Sequence, residues 1–385
     1  MLKNWLLRHG VQSERLCEAM AIWVDWLSNG SPSYAAYRAV KMVRTVALDK
    51  TPGVCPLGIG KSWMWLWSDC SHTKMKVEAT NACGKTQLCA GLQSRIEANL
   101  HAVCAIWPQS AGWTEDSGEE EDEGDPPKAV CLCERIRAEG MLSPLVDPGA
   151  AKDASNSRFK EGTGFGLALF DARKSFNELN RYLMLWSVAH LCNRGSQFAF
   201  NRYWHWVCCL VRTEPGESPL FIHSKEGITQ GDCFAMSVYG VALMPLASKM
   251  CEAIPDALQP WYCDNAGTAV KALPNACYLD FLVKFGPQYG YFFKPDKSYY
   301  ICKAEDIDIT HQDFESVGLD INYSRGQQYL GGFIGSAKTK KLWLAELVEK
   351  WVVAEQTLSM VAEQYPQTAY ASFTFCLQNK WQYVQ

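Results

Sequence analysis

Two aspartates stand at the ends of segments that the sequence predicts to be β-strands. The first, Asp171, follows the apolar run Phe165–Phe170, which is typical of a buried strand. The second, Asp264, lies with Asn265 inside residues 259–270, where the residue pattern predicts a β-hairpin with the acid at its tip. Carboxylates held in this way can bind a hard divalent cation. Asp and Asn are also ordinary turn residues, so the hairpin pattern alone favours a simple turn.

The order of the elements around the two acids indicates how they could act together. A strand that ends in Asp171, then helices, then a hairpin that carries Asp264 is a βαβ-type order with acids at strand ends. Two such carboxylates can converge on a pair of metal ions about 3.5–4 Å apart, the arrangement used for in-line phosphoryl or nucleotidyl transfer. The metals would polarise an attacking hydroxyl group, and a nearby cation could protonate the leaving pyrophosphate.

Length and composition describe a globular protein with more than one core. The chain has 385 residues, of which 48% are hydrophobic and 20% are charged, so we expect two or three subdomains. The apolar runs are too short for a membrane span and the amino terminus lacks a signal-peptide pattern, which predicts a soluble chain without membrane association. The 17 cysteines include no Cys-x-x-Cys pair, so we expect a reducing, intracellular setting instead of disulfides or zinc. The 15 tryptophans are expected to fill aromatic cores and not to form a binding stripe.

An acidic segment at residues 113–128 accounts for the negative net charge. It contains eight acids and ends in a Pro-Pro pair, and such a segment is predicted to be a disordered, solvated insertion. Without those eight charges the net charge of −4 becomes +4. The remaining protein is therefore mildly basic, which permits a nucleic-acid partner.

The hydrophobic periodicity predicts the remaining elements. Helices are expected over residues 1–29, from about Ser33 through Val46, over 87–106, over 132–140, from Ala172 to about Cys192, over Phe234–Met250, over Tyr278–Phe285, and from Lys341 with a break at Pro366. Strands or hairpins are expected over Leu220–Ser224, Tyr299–Cys302 and Tyr329–Gly335, and a loop over Leu48–Ser62.

Five segments in order resemble the motifs of reverse transcriptases of the non-LTR retrotransposon type. They are residues 170–177, 227–232, 262–265, 290–298 and 329–332, and residues 48–60 resemble the fingers motif of that group. The resemblance covers about residues 33–385 and implies an α+β right-hand polymerase fold. The implied parts are amino-terminal helices and fingers over 1–112, the acidic insertion over 113–128, a fingers connection over 129–162, a palm with an antiparallel sheet of split βαβ type over 163–337, and a partial helical thumb over 338–385.

The resemblance also implies a metal site. Asp171 and Asp264 would be catalytic and would hold Mg²⁺ or Mn²⁺, together with the backbone carbonyl group of Ala172 and the side chain of Asn265. Lys297 matches the general acid of the family; the alternative is an ordinary surface lysine.

Further residues match the positions that meet the substrates. Phe176 would be the gate against a ribose 2′-hydroxyl group, although an ordinary core aromatic is the alternative. Gln230 and Gly231 would lie against the template–nucleotide pair, or would form only a helix-start turn. The primer end would be gripped by Tyr329, Leu330, Gly331 and Gly332.

Four residues at three places depart from the family pattern. Asn265 replaces a second aspartate, Cys55 replaces an arginine, and Met64-Trp65 replaces a basic pair. Asn keeps an oxygen ligand but loses a charge, and a guanidinium fork is hard to replace at a triphosphate. No endonuclease or ribonuclease H segment flanks the motifs, so the expectation is a fragment of a larger element protein.

The resemblance therefore implies RNA-templated DNA synthesis with impaired activity. Its partners would be an RNA template, a DNA primer and deoxynucleoside triphosphates. The alternatives are a catalytically inactive module of this type that binds nucleic acid or protein, and a nucleic-acid-binding protein with no polymerase history.

Overall fold

The computed structural model describes residues 6–49, 54–90, 96, 99–101, 103, 164–212, 217–255, 257–378 and 380. The predicted acidic insertion and the predicted helix over 132–140 lie outside these residues. Helices and strands both contribute to the described part, which confirms the predicted α+β class. The chain divides into two compact units: a first unit of residues 1–95, 170–266 and 278–294, and a second unit of residues 96–169, 267–277 and 295–385.

The helices and strands are as follows in chain order. The helices are α1 (Val11–Asn29), α2 (Tyr34–Lys41), α3 (Ser62–Cys83), α4 (Ser175–Glu178), α5 (Arg181–Leu191), α6 (Asn193–Tyr203), α7 (Ala235–Ala253), α8 (Ala272–Phe285), α9 (Ile307–Ser316), α10 (Ala337–Gln364) and α11 (Pro366–Ser372). The strands are β1 (Val43–Asp49), β2 (Val54–Gly60), β3 (Phe165–Phe170), β4 (Val207–Val211), β5 (Leu220–Ser224), β6 (Trp261–Tyr262), β7 (Asn265–Lys271), β8 (Tyr299–Ile301), β9 (Asn322–Ser324), β10 (Gly326–Tyr329) and β11 (Gly332–Gly335).

A four-stranded sheet of the first unit corrects the predicted amino-terminal helix. Its strand order is β2-β1-β4-β5, so the predicted helix from Ser33 ends at Lys41 and the predicted loop after Leu48 contains strand β2. Strand β1 pairs with β2 in antiparallel register and with β4 in parallel register, where Val43 lies opposite Cys209. The valines of β1 match helical spacing, but β-branched residues suit a strand when neighbouring strands complete its hydrogen bonds.

Helix α3 was not predicted, because polar residues interrupt its apolar pattern. Its buried residues nevertheless recur every three or four positions: Met64, Trp67, Ser68, Ser71, Met75, Ala79 and Cys83. The predicted helix over 87–106 is wrong at its start, since Gln87 forms an isolated parallel bridge with Trp261. Helix α6 is a further helix that the sequence interpretation missed.

Strand β3 is the central strand of a five-stranded sheet, whose order is β6-β7-β3-β8-β9. All six residues of β3 are buried, which agrees with the continuous apolar run of a strand covered on both faces. Strand β3 pairs with β8 in antiparallel register, with Ala168 opposite Tyr300. The predicted antiparallel sheet of split βαβ type is therefore found as a mixed sheet, because β8 pairs with β9 in parallel register.

The carboxy-terminal helices confirm the predicted pattern. Helix α10 begins four residues before the predicted Lys341, because Ser336 caps it and accepts a 3.2 Å hydrogen bond from the backbone N–H of Thr339. Helix α11 begins at Pro366, as predicted, where the missing N–H group costs no helical hydrogen bond. No helix within the described ranges is both long and apolar enough to cross a membrane.

The prediction that tryptophans fill cores is correct for some positions and wrong for others. Trp67, Trp261 and Trp351 are buried. Six other tryptophans are exposed: Trp26, Trp63, Trp65, Trp186, Trp204 and Trp206. Periodicity could not separate these groups, because aromatic residues on a helix surface and in a core occupy similar positions along the chain.

A buried lysine should make the stability of the first unit depend on pH. Burial, and then the positive charges of Arg202 and Arg181, lower the pKa of Lys41 from 10.5 to about 7. Between these values the unfolded chain keeps the proton and the folded chain releases it, so the free energy of unfolding rises with pH. The expected slope is at most about 1.4 kcal/mol per pH unit. In denaturant unfolding from about pH 7.5 to 10, the slope of the natural protein should exceed that of Lys41→Met by this amount; equal slopes would contradict the assignment.

Candidate active site

The hydroxyl group of Tyr291 joins the two chain segments that carry the predicted catalytic aspartates. Tyr291 is fully buried, and its hydroxyl group donates a 2.9 Å hydrogen bond to the backbone carbonyl oxygen of Asp264. The same hydroxyl group lies 3.4 Å from the carbonyl oxygen of Phe170, the residue before Asp171. The end of β3 and the tip of the β6–β7 hairpin are therefore neighbours in the first unit.

A second contact joins the side chains of the same two segments. The Ser175 hydroxyl group, at the start of α4 and four residues after Asp171, donates a 2.6 Å hydrogen bond to Oδ2 of Asp264. Both aspartate side chains are partly exposed. This hydrogen bond holds the Asp264 carboxylate beside the turn that follows β3.

The Tyr291 phenol lies within the electrostatic influence of both acids. Its pKa is raised well above the ordinary value, first by burial and then by the charge of Asp264, with further contributions from Tyr278 and Asp171. A phenol that keeps its proton remains a hydrogen-bond donor. Tyr291 therefore supports the site without being ionised itself, and sequence reasoning had given it no role.

The turn after β3 is held against residues 292–294. The backbone N–H of Arg173 donates to the carbonyl oxygen of Phe292 at 2.8 Å, and the backbone N–H of Lys294 donates to that of Asp171 at 3.0 Å. Ala172 and Phe293 lie opposite each other as the non-hydrogen-bonded pair between these two bonds. In such a pair the carbonyl group points away from the partner strand, so this bridge does not use the carbonyl group of Ala172.

The tip of the hairpin is fixed by a glutamine distant in sequence. Cys263 has a left-handed backbone, with φ of 53°, which is uncommon for a residue other than glycine. Its N–H group donates to Oε1 of Gln87 at 2.8 Å, and its carbonyl oxygen accepts from Nε2 of Gln87 at 3.1 Å. The buried Gln87 thus satisfies both polar groups of the strained peptide and presents Asp264. No local signal in the sequence could have found this contact.

The donor atoms at this point suit a hard divalent cation. The two carboxylates, the Ala172 carbonyl group and the Asn265 amide are oxygen donors of the kind that Mg²⁺ prefers and Mn²⁺ accepts, and their role as ligands stays a prediction. Within the described part of the chain, no group of three or more His, Cys, Asp or Glu side chains is placed to hold a metal ion. The donor set therefore rests on two carboxylates and neutral oxygens.

Phe176 occupies a position between the core and the surface. Its ring stacks on the buried ring of Tyr239, with the ring centroids 4.8 Å apart, while Phe176 itself is only partly buried. Its backbone carbonyl oxygen accepts a 2.7 Å hydrogen bond from the N–H of Ile228. The turn before α7 is therefore tied directly to α4, and the role of Phe176 as a gate stays a prediction.

Gly231 is required by its contact with strand β2. Its φ is 103°, and a Cβ atom there would lie 2.7 Å from the carbonyl oxygen of Gly58. The neighbouring Gln230 accepts a 2.8 Å hydrogen bond from the Gly58 N–H through its backbone, and its Oε1 accepts a 3.3 Å hydrogen bond from Sγ of Cys55. A cavity of about 150 Å³ borders Gly231, β2 and the start of α3. The nucleotide role assigned to Gln230 and Gly231 stays a prediction.

The other predicted site residues belong to the second unit. Lys297 is exposed and ends the short 3₁₀ turn Pro295–Lys297. The side chain of Asn322 holds this turn, because its Nδ2 donates to the carbonyl oxygens of Pro295 and Ser298 at 2.9 and 3.0 Å.

The predicted primer-grip residues form a tight hairpin. Leu330 and Gly331 connect β10 to β11, and their φ values of 48° and 88° match a type I′ turn. Tyr329 is buried, and its hydroxyl group accepts a 3.1 Å hydrogen bond from Nδ2 of Asn99. The Tyr329 side chain therefore contributes to the core, and the hairpin presents Leu330, Gly331 and the backbone of Gly332.

Comparison with known proteins gives matches among solved structures only. No family model and no curated protein matches the sequence. Apo telomerase from Candida tropicalis truncated from its C-terminal domain is 13% identical, with a TM-score of 0.41, over 82% of this chain and 58% of that chain. Telomerase from Candida albicans in complex with the TWJ fragment of telomeric RNA is 10% identical, with a TM-score of 0.42, over 84% of this chain and 49% of that chain. The chain spans about half the length of these structures.

Proposed function

We propose that this protein is a divergent reverse transcriptase with a right-hand polymerase fold, related to the non-LTR retrotransposon type. The reaction is RNA-templated DNA synthesis by nucleotidyl transfer. The observation that carries the proposal is the contact of the Tyr291 hydroxyl group with the backbone carbonyl groups of Phe170 and Asp264. It joins the chain segments of two acids that are 93 positions apart in the printed sequence and that stand in motifs of the expected order.

In this proposal each residue near the two acids has a defined task. Asp171 and Asp264 hold Mg²⁺ or Mn²⁺ with the Ala172 carbonyl group and Asn265. Cations bound there would supply neutralisation of charge and activation of the primer hydroxyl group. Ser175 orients the Asp264 carboxylate through the 2.6 Å hydrogen bond.

The remaining predicted residues act on the substrates. Phe176 excludes a ribose 2′-hydroxyl group, and Gln230 and Gly231 meet the template–nucleotide pair. Lys297 donates the proton to the leaving pyrophosphate, and residues 329–332 hold the primer end through the hairpin tip. The partners are an RNA template, a DNA primer and deoxynucleoside triphosphates.

The substitution Asn265→Asp tests the proposal by restoring a charge. A second carboxylate next to Asp264 should strengthen cation binding and raise primer extension on an RNA template by on the order of tenfold, which corresponds to about 1.4 kcal/mol. Natural protein and variant are compared in Mg²⁺ and in Mn²⁺. The Asn265→Gln variant serves as the matched control, because it keeps a neutral amide and should give no gain.

Each result of this experiment has a distinct meaning. Extension by the natural protein establishes a working enzyme in which Asn265 is tolerated. Extension only by Asn265→Asp shows that the rest of the site is intact and that the natural protein is inactive because it lacks one negative charge. Absence of extension in both proteins contradicts the proposed reaction.

A second candidate function is favoured by the environment of Cys55. Its thiol group donates a 3.3 Å hydrogen bond to Oε1 of Gln230, and Met64 is buried, so neither residue supplies the cations that the family places near the triphosphate. Such a chain could bind nucleic acid without catalysis. Its affinity would then fall with rising salt concentration and would not depend on Mg²⁺ or Mn²⁺.

A further inference from the structure

Four large aromatic side chains lie exposed on helix α5, on helix α6 and at the residue that follows α6, all in the first unit. Tyr182 is 69% exposed, Trp186 53%, Trp204 45% and Phe200 42%. Large side chains of this kind are usually buried in a monomeric protein, and an exposed cluster of them marks an interaction site. The predicted polymerase motifs do not include any of them, so the proposed catalytic site does not account for the cluster.

The four rings and His190 form one continuous surface, which we call the aromatic strip. Tyr182, Trp186 and His190 stand four residues apart and share one face of α5, and the rings of Trp186 and His190 stack with centroids 4.2 Å apart. The ring of Tyr182 meets that of Trp204 edge-on at 5.9 Å, and Trp204 stacks on Phe200 at 5.0 Å. The α5 part alone extends about 12 Å at 1.5 Å per residue, which is room for about three stacked bases.

The charge around the strip favours a polyanion as its occupant. No Asp or Glu occurs between Glu178 and Glu214, whereas the same stretch contains Arg181, Arg194, Arg202 and Arg212. Arg181 and Arg202 are buried, and the exposed Arg194 pairs with Glu78, so the arginines of this stretch that reach the surface are Arg194 and Arg212. The acids next to these helices, Glu78 and Glu226, contact Arg194 and Arg181, and the stretch itself adds no further negative charge that would repel a phosphate backbone.

A cation also lies over a neighbouring exposed ring. The Nζ atom of Lys225 lies 4.4 Å from the ring centroid of Trp206, which is two residues after Trp204 and is 50% exposed. The ring of His223 lies 5.6 Å from the same tryptophan. Exposed rings with interleaved cations are the combination that binds single-stranded nucleic acid, where bases stack on rings and cations meet phosphates.

We propose that the aromatic strip binds single-stranded nucleic acid by stacking of its bases. A duplex is a poor ligand for such a surface, because its bases are already stacked on one another. The competing occupant is a second copy of the chain, since the adjacent strand β5 lies at an edge of its sheet and exposes Leu220, Phe221 and Ile222. The cation of Lys225 over the exposed ring of Trp206 favours the nucleic acid.

The test measures binding of a fluorescent 12-nucleotide oligouridylate to the full chain, in EDTA and without nucleotides. The triple variant Tyr182→Ala/Trp186→Ala/Trp204→Ala should weaken binding by at least about tenfold, since each stacked base contributes on the order of tenfold. Trp186→Phe alone should keep most of the affinity, because it keeps a ring. Tyr370→Ala, which removes a 73% exposed aromatic from α11, is the matched control and should change the affinity less than twofold.

Two further readouts separate stacking from the alternatives. The affinity of every protein should fall with salt concentration, but the ratio between natural protein and triple variant should persist, because stacking releases no counterions. Equal binding by natural protein and triple variant would overturn the proposal. So would a dimer, measured by sedimentation, that the triple variant dissociates while binding of the oligouridylate stays unchanged.

The test is independent of catalysis. Loss of binding in the triple variant supports the strip even if the natural protein extends no primer. Conversely, if the triple variant binds the oligouridylate as well as the natural protein does, the strip is not the binding site. The proposed reaction at Asp171 and Asp264 is then still tested by primer extension.

Discussion

Replacing Asp171 by asparagine should lower primer extension by about 10³-fold or more while the affinity for RNA changes less than twofold. A carboxylate ligand of a catalytic cation contributes several kcal/mol to the transition state, and each 1.4 kcal/mol corresponds to a factor of ten in rate. Asparagine has almost the same shape and keeps one oxygen, so the fold around Tyr291 should persist. The substitution is made in whichever protein extends primers faster, the natural protein or Asn265→Asp, and its rate is compared with the rate of that parent protein. Single-turnover extension and RNA binding are measured on the same preparations.

A matched control separates the loss of a ligand from the loss of a surface charge. Asp308→Asn removes an exposed carboxylate from helix α9 in the second unit and should leave extension within a factor of two. Activity that survived Asp171→Asn would rule out the assignment of Asp171 as a metal ligand. Equal loss of extension and of RNA affinity would instead indicate a misfolded site.

Asp232→Asn should lower the free energy of unfolding by about 3–5 kcal/mol, because it leaves a buried guanidinium group without its counter-charge. The Nε atom of Arg202 lies 3.0 Å from Oδ2 of Asp232, and the two side chains are only 1% and 4% exposed. The same Oδ2 accepts a 3.1 Å hydrogen bond from the Tyr203 hydroxyl group, and Oδ1 accepts one from the backbone N–H of Phe234 at the start of α7. Equilibrium unfolding in guanidinium chloride, followed by tryptophan fluorescence, measures the change.

An exposed ion pair in the same unit provides the control for this stability effect. Lys284 and Asp280 lie one turn apart on α8, with Nζ 2.6 Å from Oδ2, but their side chains are 64% and 32% exposed. Asp280→Asn should therefore cost less than about 1 kcal/mol. If both variants lose a similar amount of free energy of unfolding, the Arg202–Asp232 pair is accessible to water and is not buried.

A double substitution refines the interpretation of the buried pair. Arg202→Met with Asp232→Asn removes both charges and keeps an amide oxygen as acceptor for the Phe234 N–H, and it should be less destabilising than Asp232→Asn alone, because no buried charge is left without a counter-charge. Such a result would mean that the pair adds little net stability and that its main effect is to fix the turn before α7 in one conformation.

Much of the fold could be predicted from local patterns. The continuous apolar run of β3, the hairpin around Asp264 and the long periodic helix α10 are all present. Each of these elements is specified by residues that are close in sequence, and local periodicity is sufficient for such elements. The order of the motifs likewise indicates Asp171 and Asp264 without any knowledge of long-range contacts.

Other features depend on partners distant in sequence. Strand β1 was assigned to a helix because its pairing with β4 lies across more than 160 residues, with Val43 opposite Cys209. The buried contacts of Gln87 with Cys263, and of Tyr291 with Asp264, follow no local pattern. The exposure of Trp186 and Trp204 could not be predicted either.

The sequence by itself therefore determined the α+β class, the two candidate acids and most long elements, because helical and strand periodicity are local properties of the chain. Only the tertiary structure decided what holds those acids together and which aromatic side chains reach the surface. Hydrogen bonds and burial depend on which distant segments become neighbours, and that information resides in long-range packing and not in residue spacing.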